Sequence, residues 1–172
     1  QFAFAGGKRA AWVSLMIPLF YRALVDIRRK EHGLFFILLV ILSSVFTEVA
    51  GYFIGRAFGK HHIAPEISPK KTWEGCVGGL AVSVMGGCLY AAAAQAVYGL
   101  NVQYGRLCLY LICASIIGQF GDFAMSTIKR SVHIKDFSQL LPGHGGILDR
   151  FDSQLFAAPF TLIFITCIQL LR

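Results

Sequence analysis

The residues best suited to chemistry lie between Ser126 and Asp152, which reads Ser126-x-x-Lys129-Arg130, then Lys135-Asp136, then Pro142-Gly-His144-Gly145-Gly146-x-x-Asp149-Arg150-x-Asp152. Cations, carboxylates and a glycine-rich turn share one short span. Asp122 stands just upstream, and a second basic element, Ser68-Pro69-Lys70-Lys71-Thr72-Trp73-Glu74-Gly75, lies earlier in the chain. Carboxylates bind hard divalent cations through oxygen, and Lys and Arg neutralise the phosphate oxygens that such cations bridge. Lys70, Lys71, Lys129, Arg130 and Arg150, set against Asp122, Asp149 and Asp152, therefore point to a metal–polyphosphate site.

Each part has a plainer reading when taken alone. Asp149 and Asp152 share a helix face if residues 148–152 open a helix, whose N-terminal amides would add donors for an anion. A single such pair caps a helix about as readily. The glycines of 142–146 let backbone amides approach phosphate, although a glycine run by itself is more often a turn. His144 could donate to a phosphate oxygen or bind metal, but a lone loop histidine is more often only solvated. In 68–75, Pro69 fixes the chain and Trp73 suits a membrane interface, so the bland alternative is a basic loop drawn to anionic lipid.

The elements that must position these residues are apolar. Of 172 residues, 56% are hydrophobic and 15% charged, and mean hydropathy is +0.62, outside the balance of a soluble domain. With about 20 apolar residues needed per crossing, residues 10–24, 33–55, 76–98, 106–128 and 151–171 read as five membrane helices, the first short and the other four of spanning length. The expected fold is an all-α polytopic bundle, a single domain over 1–172 with two working loops at 56–75 and 129–150. Glycine pairs at 78–79 and 86–87 and the alanines at 91–94 are expected to let helices approach closely. The five cysteines lie in or beside apolar segments without a Cys-x-x-Cys pair and read as packing residues.

Charge sets the sidedness. Both basic loops are separated by two crossings and so share a side, and the uncharged 99–105 connection lies on the other, which places the basic loops in the cytoplasm. Residues 22–32 hold four cations yet fall one crossing away; an interfacial first helix, a local failure of the bias or upstream sequence would each account for it. The start has neither an initiator Met nor a secretory pattern, and the chain reads as a fragment.

The loop from Ser126 to Asp152 closely resembles the signature of the phosphatidate cytidylyltransferases, the CDP-diacylglycerol synthases, and the likeness extends to 68–75 and to Ala50-Gly51-Tyr52-x-x-Gly55-Arg56-x-x-Gly59-Lys60, covering most of 47–152. The resemblance implies transfer of a cytidylyl group from CTP to phosphatidic acid, with Mg2+ required and K+ assisting, in a bacterial-type inner membrane. It implies metal ligation by Asp122, Asp149 and Asp152, with Glu48 as a further candidate. Lys70, Lys71, Lys129, Arg130 and Arg150 would meet CTP or lipid phosphate, and His144, Gly145 and Gly146 would shape the phosphate pocket. Ser68, Pro69, Glu74, Ser126, Lys135 and Asp136 would complete substrate binding. CTP, phosphatidic acid and the bilayer are the partners, no nucleic acid is expected, and a homodimer is one assembly the chain could form.

Two positions depart from the family pattern. Glu48 stands where members commonly carry Asp, keeping the charge on a longer arm, and Met125 replaces a carboxylate found in many bacterial members. Competing expectations are a relative acting on another lipid, such as a CDP-archaeol synthase or polyprenol kinase, and a transporter. A transport pathway would place ionisable groups within the spans, whereas here nearly all cluster in two same-side loops.

Overall fold

The computed structural model describes residues 2–65, 67–131, 134, 151–168 and 170–171. Among the described residues, five helices are joined in the order α1 (Phe2–Arg29), α2 (Gly33–Phe58), α3 (Trp73–Tyr98), α4 (Tyr104–Ser131) and α5 (Gln154–Cys167), with β1 (His62–Ala64) and β2 (Ser68–Thr72) between α2 and α3. The expected all-α bundle is present. At 1.5 Å per residue, α2, α3 and α4 are about 39–42 Å long, enough to cross about 30 Å of hydrocarbon, and these three meet both the length and the apolarity that crossing requires among the described residues.

Two of the expected spans need correction. The first helix is not short but runs for 28 residues, with the charged stretch Arg22–Arg29 inside it. The fifth covers only 14 residues, about 21 Å, so that among the described residues three helices, rather than four, are both long and apolar enough to span. It also begins at Gln154, which leaves Asp152 in the turn before the helix and not in its first turn.

Direct backbone contact between α2 and α3 sets the centre of the bundle. A Cβ on Gly79 would stand 2.5 Å from the Thr47 carbonyl oxygen, and one on Gly75 would stand 2.6 Å from that of Gly51. Only hydrogen fits there, so small residues bring the helices together as the glycine spacing predicts. Of the alanine run, Ala91 and Ala94 are buried while Ala92 and Ala93 face outward. The core divides into a cluster around Leu39, Leu107, Tyr110 and Leu111, and another around Phe20, Val40, Met125 and Leu155. Buried Tyr110 bonds the Thr161 hydroxyl at 2.8 Å, satisfying a polar group that would otherwise be stranded.

The short hairpin is absent from the helical expectation. Its strands pair antiparallel, His62 with Thr72 and Ala64 with Ser68, with an irregularity between them. β2 runs straight into α3: Thr72 has extended backbone (φ −124°, ψ 154°), and its hydroxyl accepts from the Gly75 amide at 3.2 Å, capping the helix. The Thr72 side chain is buried in the space left by Gly55 and Gly59 at the end of α2, where added Cβ atoms would meet it at 2.8 and 2.7 Å. The hairpin thus docks on α2 and α3 at the end of the bundle where α4 finishes and α5 starts, and the Lys30–His32 turn and the 99–103 connection lie at the opposite end.

Candidate active site

A cavity of about 560 Å³ opens at the hairpin end of the bundle, walled by α2, β2, α3, α4 and the turn before α5. Its charged end is lined by Glu48, Lys70, Lys71, Asp122 and Asp152. Lys71 Nζ lies 2.7 Å from Asp122 Oδ2, with both side chains about a quarter to a third exposed (25% and 31%), and the same ammonium stands 5.7 Å from the Phe123 ring centroid, within cation–π range. Lys70, the preceding residue, is exposed and joins the wall, with no carboxylate partner among the described residues.

Asp152 reaches the cavity from behind. It accepts from Lys129 Nζ at 2.6 Å, in a pair whose side chains are only 9% and 6% exposed. Beside it, the Ser153 hydroxyl donates to Glu48 Oε1, joining the turn before α5 to the middle of α2. Glu48 therefore enters the site with a partner, as its position in an apolar run demands.

Away from its charged end the cavity is lined by neutral residues. Below Asp122, at successive turns of α4, come Gln119 and Ser115. Gln119 Nε2 donates to Ser115 Oγ and to the Cys76 carbonyl, each at 3.3 Å, and Ser115 Oγ is 3.0 Å from Thr47 Oγ1. Alongside this polar strip, Val77, Leu80, Ile116 and Phe120 form an apolar wall, of which Val77 and Phe120 are largely exposed on the outer face of α3 and α4. A ligand with a phosphate head and an apolar body matches this division.

The structure brings together Lys70, Lys71, Asp122, Asp152 and Glu48 from the sequence-derived set, with Lys129 immediately behind Asp152. It distributes others differently. Ser68 and Pro69 lie on β2 outside the cavity wall, and Ser126 is half-buried one turn beyond Asp122. Glu74 faces His61, whose Nδ1 is 2.6 Å from its Oε1. Arg130 donates to two backbone carbonyls, those of Ile67 at 3.3 Å and Ile134 at 3.2 Å. Lys135, Asp136, His144, Gly145, Gly146, Asp149 and Arg150 lie outside the described residues.

Sequence reasoning missed Ser153, Gln119, Ser115 and Thr47, which line the cavity, and His61, which holds Glu74. Ser153 adjoins the signature and was open to notice. The others are ordinary polar residues whose convergence exists only after α2, α3 and α4 have packed. Among the described residues, no group of three or more His, Cys, Asp or Glu side chains is gathered closely enough to hold a metal ion.

A sequence profile of the cytidylyltransferase family matches residues 3–168, nearly the whole chain. The chain belongs to this family. It is 38% identical over 148 residues to the phosphatidate cytidylyltransferase of Bacillus subtilis (strain 168), an alignment covering 86% of this chain and 54% of the relative. Against the phosphatidate cytidylyltransferase of Brucella suis biovar 1 (strain 1330), identity is 42% over 142 residues, covering 81% and 51%. The Staphylococcus epidermidis (strain ATCC 35984) enzyme of the same name is 38% identical over 155 residues, covering 90% and 56%. The chain thus spans about half the length of the curated relatives it matches.

Proposed function

We propose that this chain is the catalytic portion of a membrane-embedded CTP:phosphatidate cytidylyltransferase, which forms CDP-diacylglycerol and pyrophosphate. The observation that carries this reading is the division of one cavity: Lys70, Lys71 and Asp122 at its charged end with buried Asp152 behind them, and the apolar wall of Val77, Leu80, Ile116 and Phe120 on the other side. The names of the relatives agree with it.

In this reaction an oxygen of the acceptor phosphate bonds to the α-phosphorus of CTP, and the bond from that phosphorus to the oxygen bridging to the β-phosphate breaks, releasing pyrophosphate. The acceptor is already largely ionised near neutral pH, so no strong base is needed. Alignment and charge neutralisation carry the catalysis, as in phosphoryl transfer generally. Lys70, exposed at the mouth, and Lys71, held by Asp122, supply positive charge for the phosphates. Lys129 fixes the Asp152 carboxylate, and Ser153 orients Glu48.

Asp122, Asp152 and Glu48 offer the oxygen donors that a hard divalent cation takes, around one cavity though not gathered closely enough in this structure to hold one by themselves. They would hold Mg2+ together with Asp149, and the bound ion would neutralise phosphate charge; K+ would assist. His144, Gly145, Gly146 and Arg150 keep the phosphate-contacting roles that the family resemblance implies. The hairpin end would face the cytoplasm of a bacterial inner membrane, where CTP is present. The test is incubation of the full-length protein in lipid with CTP and phosphatidic acid: a liponucleotide should form only when both substrates and a divalent cation are present, and product persisting after chelation would remove the metal from the mechanism.

A further inference from the structure

The hairpin that presents Lys70 and Lys71 consists of strands of three and five residues, and a two-stranded ribbon of that size does not hold its own position in water. Contacts to the helices must hold it. At its base, Glu74 in the first turn of α3 receives both the His61 ring, at 2.6 Å, and the His61 backbone N–H, at 3.3 Å, while the Trp73 N–H donates to the His61 carbonyl at 3.0 Å. At its tip, Arg130 in the last turn of α4 donates through Nε to Ile67, in the turn that precedes β2, and through Nη1 to Ile134, just past the helix. The two lysines lie between these attachments.

We propose that Arg130 and the Glu74–His61 pair are positioning residues, two latches that fix the hairpin at both ends so that Lys70 and Lys71 stand over the cavity. The inference rests on the cavity being the transfer site. A guanidinium is a planar fork, able to donate to two carbonyls in fixed directions, and among the described residues its partners are two neutral backbone oxygens, with Arg130 outside the cavity wall. The Ile134 amide donates in turn to the Lys129 carbonyl at 3.1 Å. Arg130 therefore ties the tip of one basic loop to the first residues of the other, and the two loops that must share one substrate are joined through a single side chain.

The test uses full-length protein in nanodiscs and two readouts, of which the first needs no activity. Trypsin cleavage after Lys70, followed by mass spectrometry, reports hairpin release. Losing the hydrogen bonds of either latch raises the open population, so Arg130→Ala and Glu74→Ala should each be cut faster than wild type, by about tenfold. Arg130→Lys keeps the charge but not the fork and should be cut nearly as fast as Arg130→Ala. Glu74→Gln keeps acceptor oxygen and should return toward the wild-type rate.

The second readout is kinetic. In the Arg130→Ala/Glu74→Ala double variant the KM for CTP should rise while kcat at saturating CTP stays within a few-fold, because substrate binding re-forms the competent arrangement. Wild-type cleavage rates in both single alanine variants would overturn the proposal, as would an Arg130→Lys protein with wild-type cleavage and kinetics, which would assign Arg130 to phosphate charge. If an alanine variant is lost to misfolding on size exclusion, Arg130→Lys and Glu74→Gln carry the comparison. A wild-type protein that makes no liponucleotide defeats the functional reading, and the cleavage data still decide the latches.

Discussion

Lys71 on the hairpin and Asp122 toward the end of α4 form a 2.7 Å ion pair that ties the hairpin to α4 across the cavity mouth. Surface pairs contribute little to stability, and this one is partly exposed, so its value lies in where it holds an ammonium group. It sets a cation beside the carboxylates that line the same wall.

Removing either partner should therefore cost activity more than stability. Lys71→Ala and Asp122→Asn should each lower kcat/KM for CTP by about 100-fold, the scale of losing one charge-stabilising donor, with unfolding temperatures close to wild type. Because the two side chains touch, the double variant should lose much less than the product of the single losses. Full additivity would show that they act separately.

Lys129 and Asp152 should behave in the opposite way. Their pair is nearly buried, and breaking a buried ion pair costs about 3–5 kcal/mol. Lys129→Met should thus lower the thermal midpoint sharply. Lys129→Met combined with Asp152→Leu should recover most of the stability while leaving the protein inactive, a separation of fold from function that a purely structural pair would not give.

Much of this arrangement was legible in the sequence, and the reasons differ by element. Long apolar runs mark α2, α3 and α4 because a bilayer demands them, and the concentration of charge marks Lys71, Asp122 and Asp152. The hairpin was not legible: Ser68–Thr72 has neither alternating hydrophobicity nor a β-branched run, and its shape comes from Thr72 docking against Gly55 and Gly59. The end of α5 was misjudged because the apolar pattern continues to Leu171, whereas the chain leaves the helix after Cys167 and pairs Leu171 with Val102. Glu48 and Ser153 meet only after α2 and α5 pack.

The α2–α3 contact predicts a local intolerance of volume. Gly79→Ala places a Cβ 2.5 Å from the Thr47 carbonyl oxygen, and forcing the backbones apart should destabilise the protein by about 1–3 kcal/mol. Gly105→Ala meets nothing within 4 Å and, in the first turn of α4, should be neutral or slightly stabilising. Thermal unfolding of the two variants in one detergent checks the contrast.

Sidedness is open to direct measurement. Single cysteines at His62 and Asn101, both exposed, in a cysteine-free background should react with an impermeant thiol reagent from opposite faces, position 62 from the cytoplasm and position 101 from outside. Labelling of both from one face would break the antiparallel order of α3 and α4 on which the cavity depends.

The central claim is that the cavity transfers a nucleotidyl group and not a terminal phosphate. Full-length protein in lipid, given phosphatidic acid and CTP labelled at either the α- or the γ-phosphorus, tests this most directly. The account predicts that α-label enters the lipid product and γ-label leaves as pyrophosphate. Transfer of γ-label to lipid, with no α-label retained, would make the protein a lipid kinase and contradict the account.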